Sequence, residues 1–95
     1  MRILLLLALA AAAGTAGAAE ERPPPGASSC SGCHGPADGG AVPSLAGLPA
    51  EAIAGALAAF RAGTRPATVM DRIAKGFTEE ESRAIAAWLA ARGGT

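Results

Sequence analysis

Aromatic side chains are scarce in this chain of 95 residues, which contains two phenylalanines, one tryptophan and no tyrosine. The hydrophobic fraction of 51% comes largely from alanine and from an apolar N-terminus. A domain of this size gains only marginal stability from a core built of side chains alone. The shortage therefore predicts that another apolar group completes the interior.

The chain also has no excess of positive or negative charge, because its eight Lys and Arg residues are balanced by eight Asp and Glu residues. The sequence has no basic patch of the kind that binds nucleic acid, so we expect no nucleic-acid partner. Potential metal ligands are equally few, and the cysteines and histidine are Cys30, Cys33 and His34. A structural zinc site needs about four protein ligands, and these residues do not complete one.

The N-terminus has the features of a secretory signal. A basic second residue precedes an apolar run over residues 3–13, which is too short to span a bilayer. Small residues follow, and we expect cleavage after Ala18 or Ala19. A retained membrane anchor is the alternative, which the short run and the acidic residues 20–21 disfavour. We therefore predict that residues 1–19 are a cleaved signal peptide, and that the mature protein is periplasmic with no stable membrane insertion.

The mature chain is predicted to be all-α. Residues 20–27 are charged and rich in proline, which favours an extended arm, and residues 28–95 are expected to form one domain. Start and stop signals include Pro49, Gly63 and a capping box at Thr78. They predict about four helices, over residues 27–35, 49–62, 68–75 and 78–91. Apolar spacing predicts that the second helix faces inward with Ile53, Leu57 and Phe60. The fourth is predicted to face inward with Ile85, Trp88 and Leu89.

The cysteines and the histidine form the pattern Cys30-Ser31-Gly32-Cys33-His34. Residues three apart on a helix share a face, so both thiols can reach the two vinyl groups of one haem. The next residue then lies beside the iron, and the spacing is typical of c-type haem attachment. A thiol redox pair, a disulfide and half a zinc site are the alternatives, and the first of these lacks its usual βαβ context. We therefore predict one covalent haem c, attached through Cys30 and Cys33, with His34 as the proximal ligand.

The second axial ligand follows by elimination. Electron-carrying cytochromes ordinarily hold iron between His and Met, and Met70 is the only methionine that remains once Met1 leaves with the signal. The alternatives are that Met70 only fills the core, and that Lys75, water or nothing occupies the iron position. The other ring nitrogen of His34 needs a partner, and the backbone carbonyl of Pro43 is the candidate. Pro43 is equally compatible with a plain turn.

These residues resemble the class I cytochrome c fold through the motif at 30–35, the loop at 43–47 and Met70. A narrower and more specific resemblance lies in residues 60–65 and 67–77. Those two runs are similar to the cytochrome subunit of flavocytochrome c sulfide dehydrogenase. In that family a haem chain accepts electrons from a flavoprotein that oxidises sulfide.

The resemblance implies a periplasmic flavin-binding partner, and cofactor-binding residues at Cys30, Cys33, His34 and Met70. Two departures from the family are visible. Class I cytochromes usually begin with a longer helix that packs across the last one, whereas the prolines of residues 23–26 leave little room before Cys30. The chain also has a single haem motif, while some members of the sulfide-oxidising group have two.

We expect an electron carrier rather than an enzyme, either as a subunit of a sulfide dehydrogenase or as a free shuttle to another oxidoreductase or terminal oxidase. A haem enzyme or gas sensor is an alternative that requires Met70 not to bind the iron. A haem-free thiol oxidoreductase is a third. Cations near Met70 are predicted to form a docking surface for the redox partner, and they are Arg61, Arg65, Arg72 and Lys75. The alternative is that they are ordinary solvated charges on helix surfaces.

Overall fold

The computed structural model describes residues 22–35 and 41–94 of the chain. These ranges contain four α-helices and no strand, and the helices are α1 Ala27–Cys33, α2 Ala50–Ala62, α3 Met70–Ala74 and α4 Glu79–Ala91. The predicted all-α fold is confirmed. The predicted signal peptide, residues 1–19, lies outside the described residues. Among the helices that are described, none is both long and apolar enough to cross a bilayer.

α2 starts and stops within a residue of its predicted bounds. Pro49 is its N-cap residue and has an extended backbone, so the helix itself begins one residue later than predicted. Gly63 ends the helix with a φ of 75°, in the left-handed region that glycine adopts without strain. This conformation lets the Thr64 N–H donate to the Ala59 carbonyl at 3.0 Å, which pairs a carbonyl that the helix end would leave free.

α4 begins with the predicted capping box. The Glu81 N–H donates to Thr78 Oγ1 at 3.1 Å, and the Thr78 N–H donates to Glu81 Oε1 at 3.0 Å. These hydrogen bonds favour the ionised carboxylate and lower the pKa of Glu81. One turn further on, an exposed ion pair joins Arg83 to Glu79 at 2.6 Å.

α3 is shorter than the predicted range of 68–75. It begins only at Met70 because Val69, a β-branched residue, has a φ of −134° and stays outside the helix. At the other end, the Gly76 N–H donates to the Ile73 carbonyl at 3.0 Å, so a tight turn replaces the last helical hydrogen bond. α1 likewise ends two residues earlier than predicted, because the backbone of His34 leaves the helical region.

The core lies where α2 packs along α4 and against α3, while α4 touches α1 only lightly. Its largest fully buried side chains are Ile85 and Leu89, and no aromatic side chain within the described ranges is fully buried. Phe60 and Trp88, both predicted to face inward, are half-buried and pack on the edge of the cluster. The interior is therefore small, and its members are Ala27, Ile53, Leu57, Ala74, Ile85, Ala86 and Leu89.

The proline-rich arm takes the place of a longer N-terminal helix. Gly26 precedes α1 with a φ of 86°, and the ring of Phe77 lies against it. A Cβ atom at Gly26 would stand 2.7 Å from Phe77 Cζ, which real Cβ contacts do not show. Residues 23–25 run beside α4 and enclose with it a groove of about 940 Å³. These prolines stand where a longer first helix would pack across the last one, and α1 itself contacts α4 only lightly.

Candidate haem-binding site

α1 presents the two cysteines one helical turn apart. Cys30 is half-buried and packs against the core, Cys33 is exposed, and neither thiol forms a disulfide. Burial raises the pKa of the Cys30 thiol, which also donates a long hydrogen bond of 3.9 Å to the Gly26 carbonyl. Catalytic thiols have lowered pKa values, so Cys30 lacks the electrostatic setting of a redox-active thiol. The two side chains share one face and remain available for thioether bonds.

His34 stands where α1 ends. Its N–H still donates to the Cys30 carbonyl at 2.8 Å, while its φ of −90° and ψ of 89° turn the chain out of the helix. The ring Nδ1 lies 2.6 Å from the Pro43 carbonyl oxygen, so the hydrogen bond predicted between these residues is present. A carbonyl only accepts, so Nδ1 donates this hydrogen bond, and in the neutral imidazole the free lone pair is then on Nε2. A metal-binding histidine is ordinarily fixed in this way.

Met70 is the first residue of α3 and is half-buried. It packs against the same buried cluster as Cys30, so the fold brings both residues to one core despite their separation in sequence.

The next residue, Asp71, has an unusual environment, because its Oδ1 is buried and has no hydrogen-bond partner within the described part of the chain. Nothing in the sequence distinguishes this carboxylate from a surface acid, and sequence reasoning missed it.

Large apolar side chains are exposed on the two segments that carry the candidate ligands. Val42 is 43% exposed and Leu48 40% exposed, and both lie in the loop that contains Pro43. Val69, the N-cap residue just before Met70, is 55% exposed, and Ile73 on α3 is 38% exposed. Exposed apolar side chains that lie together usually mark a contact with another molecule. A flat apolar cofactor bound by residues of both segments would cover part of them, so the residues present fit a haem.

Gly94, which follows α4, packs against the loop whose Pro43 carbonyl contacts His34. Gly94 is buried with a φ of 97°, and a Cβ atom placed there would lie 2.6 Å from the Ala46 backbone nitrogen. Its N–H donates to the Leu89 carbonyl at 2.8 Å, which secures it to the last turn of α4. Backbone therefore packs on backbone just after Pro43. In the sequence, only a second glycine after Gly93 marks this contact.

A helix that carries two free cysteines one turn apart, followed by a histidine oriented through Nδ1, has the pattern that is typical of haem attachment in c-type cytochromes. The family model described as "Cytochrome C oxidase, cbb3-type, subunit III" matches residues 26–89, and the chain belongs to this family of cytochrome c domains. Haem and electron transfer are properties of the family, so the chain is an electron carrier rather than an enzyme in its own right.

One relative has a more specific description than the matched family. The chain is 47% identical over 64 residues to the cytochrome subunit of sulfide dehydrogenase from Chlorobaculum tepidum. The alignment covers 64% of this chain and 57% of the relative, so the chain spans little more than half of the relative's length. The narrower resemblance predicted from residues 60–65 and 67–77 is thereby confirmed as a sequence similarity.

Proposed function

We propose that this chain is a periplasmic monohaem cytochrome c that accepts single electrons from the flavin-binding subunit of a sulfide dehydrogenase. The observation that carries the haem assignment is the 2.6 Å contact between His34 Nδ1 and the Pro43 carbonyl, beside two free cysteines. This contact supports the assignment because it leaves Nε2 of His34 available to bind a metal, in a chain whose family binds haem.

Each residue of the site has a separate task. The thiols of Cys30 and Cys33 would fix the cofactor to α1, and His34 would supply a nitrogen ligand. Met70 would supply a sulfur ligand from α3, a pairing that favours the reduced state relative to two nitrogen ligands. When bound, haem c supplies a one-electron iron couple. With the haem in place, the exposed apolar side chains near the ligands would limit the access of water to it, and they are Val42, Leu48, Val69 and Ile73.

Export and domain boundaries belong to the same proposal. Residues 1–19 act as the cleaved signal, residues 20–27 as the arm, and residues 28–95 as the cytochrome domain. The apolar run and the small residues before residue 20 support this division. Residues 22–25 also support this division, because they lie beside α4 and precede the first core residue, Ala27.

The proposed partner is supported by the similarity to a cytochrome subunit of sulfide dehydrogenase and by the charges near Met70. Arg61, Arg65, Arg72 and Lys75 are all exposed, as a docking surface requires. Arg65 has a structural role as well, because its guanidinium lies over the Phe60 ring at 4.9 Å from the centroid. Arg72 and Lys75 are therefore the better test of docking.

The ligand assignment is tested with Met70→Ala, compared with Thr68→Ala at a nearby exposed position. Met70→Ala should keep a haem that survives denaturation, because the thioether bonds are untouched. It should lose the sulfur-to-iron charge-transfer band of the ferric protein and lower the reduction potential. Thr68→Ala should change neither. A Met70→Ala protein with the parent's band and potential would show that another group binds the iron.

A second candidate function is delivery of electrons to a terminal oxidase, which the description of the matched family favours. The two functions are distinguished by whether the partner reduces the ferric protein or oxidises the ferrous protein. Ferric protein mixed with sulfide and the flavin-binding subunit should be reduced if the first proposal is correct. If the chain is instead an oxidase donor, ferrous protein should be reoxidised by oxidase-containing membranes, while the flavoprotein and sulfide leave the ferric form unchanged.

A further inference from the structure

Asp71 on α3 has an environment that is unusual for an acidic residue. Its Oδ1 atom is buried and has no hydrogen-bond partner within the described part of the chain, while the residue as a whole is half-buried. Buried polar atoms normally form hydrogen bonds, and a charged group that leaves water without one loses solvation free energy. The fold gains no stability from the burial of this oxygen, which points to a role other than stability.

No positive side chain within the described residues neutralises Asp71. Arg72 follows it directly and Lys75 lies one turn further along, but both are exposed and neither forms an ion pair with it. Aspartate is ordinarily ionised at neutral pH, and Asp71 keeps partial contact with water because it is only half-buried. The negative charge at this position is therefore not compensated by its neighbours.

Asp71 is held close to the candidate ligand Met70. The two residues are consecutive in α3, so their Cα atoms are about 3.8 Å apart. The N–H groups of Arg72 and Ile73 both donate to the Val69 carbonyl, at 3.0 and 3.2 Å, which closes the first turn of the helix around them. Asp71 and Met70 thus belong to one hydrogen-bonded turn, and a charge on Asp71 stays near an iron bound by Met70.

We propose that Asp71 lowers the reduction potential of the haem iron by placing a negative charge beside Met70. This role rests on the proposed function, in which Met70 binds the iron. Ferric iron carries one positive charge more than ferrous iron, so a nearby negative charge stabilises the ferric state. At an effective dielectric constant of about 20, a unit charge roughly 10–15 Å away changes such an equilibrium about tenfold. Salt screens this effect less for a partly buried charge than for an exposed one.

Asp71 and Met70 then act on the potential in opposite directions. A methionine sulfur opposite a histidine raises the potential relative to two nitrogen ligands, whereas the carboxylate lowers it. An electron carrier needs a potential between those of its donor and its acceptor. Two consecutive residues of α3 therefore supply one group that raises the potential and one that lowers it.

Glu51 on α2 provides a matched comparison. Like Asp71, it is the acidic residue in the first turn of a helix whose N-cap side chain forms no hydrogen bond. An acid at that position stabilises a helix through the helix dipole, and this applies to both residues. Glu51 is exposed, however, so solvent and salt screen its charge. Neutralising Glu51 removes the same helix contribution without removing a partly buried charge beside Met70.

The test is the midpoint potential of the haem-loaded protein, measured by redox titration with visible absorbance at low and high ionic strength. Asp71→Asn keeps the shape of the side chain and removes its charge. The ratio of ferrous to ferric protein at a fixed solution potential should therefore rise about tenfold, which is about 59 mV for a one-electron couple. Most of this shift should remain at high salt. Asp71→Glu keeps the charge and should stay close to the parent, and Glu51→Gln should change the potential little at either salt concentration.

The sulfur-to-iron charge-transfer band of the ferric protein separates this role from a structural one. Asp71→Asn should retain the band, because Met70 still binds the iron. Loss of the band would show that Asp71 positions Met70 rather than acting through its charge, and would overturn the proposal. So would an unchanged potential in Asp71→Asn, or a shift of the same size in Asp71→Glu or Glu51→Gln. A parent protein without the band would instead refute the ligand assignment, on which this role depends.

Discussion

Replacing Gly26 with alanine tests how the arm, α1 and the last part of the fold are joined. Gly26 has a φ of 86° and directly precedes the helix that carries the cysteines. An added Cβ atom would stand 2.7 Å from Phe77 Cζ, and Phe77 itself packs against the core. The variant therefore has a strained backbone and a displaced ring at once.

The two effects have separate magnitudes. A residue with a Cβ atom in the left-handed region costs about 1–2 kcal/mol. Forcing extra volume against a packed side chain costs about 1–3 kcal/mol. Gly26→Ala should thus lower the free energy of unfolding by about 2–5 kcal/mol, a large share of the total for a domain of this size. The midpoint of thermal unfolding should fall by about 10 °C or more.

Thermal unfolding of the haem-loaded protein, followed by far-ultraviolet circular dichroism, measures this loss. Gly63→Ala is the matched control, because Gly63 has a φ of 75° but no atom within 4 Å of its added Cβ. It should lose only the backbone contribution. In Phe77→Leu the shorter side chain leaves room for the methyl group, so the loss caused by Gly26→Ala should be smaller in that background. Equal losses for Gly26→Ala and Gly63→Ala would refute the contact with Phe77.

Three further outcomes are expected. Changing Cys30 and Cys33 together to alanine should leave a poorly folded apoprotein, since the core is small; a cooperative melt that matches the parent's would contradict this. Glu81 has a lowered pKa in the folded state, so its stabilisation is present above the pKa of an unfolded glutamate and is lost as pH falls through the folded value. On acidification Glu81→Gln should therefore lose less stability than the parent, and equal losses would refute the capping role of the carboxylate. Reversing Arg72 and Lys75 to glutamate should slow electron transfer from the flavoprotein, most at low ionic strength, without altering the haem spectrum; unchanged rates at low salt would remove both from the docking surface.

Local sequence signals determined most of the helices. The capping box at Thr78 opens α4 as predicted, and Gly63 closes α2, because both signals act through hydrogen bonds within a few residues. The haem motif is equally local, since the helical repeat alone sets the spacing of Cys30 and Cys33. α3 was predicted less well, because neither Thr68 nor Val69 offers a side-chain cap and its start depends on packing against α2.

Contacts between distant segments were decided by tertiary structure. The hydrogen bond from His34 to Pro43 could be suggested from the sequence but not distinguished from a plain turn, because it depends on how the loop returns to α1. The packing of Gly94 on the Leu45–Ala46 backbone carries no sequence signal beyond a glycine, and neither does the ring of Phe77 against Gly26. Sequence patterns fix interactions across one or two helical turns. Only the packing of the helices decides which glycine cannot be replaced by a residue with a side chain. It also decides which face remains exposed to a partner.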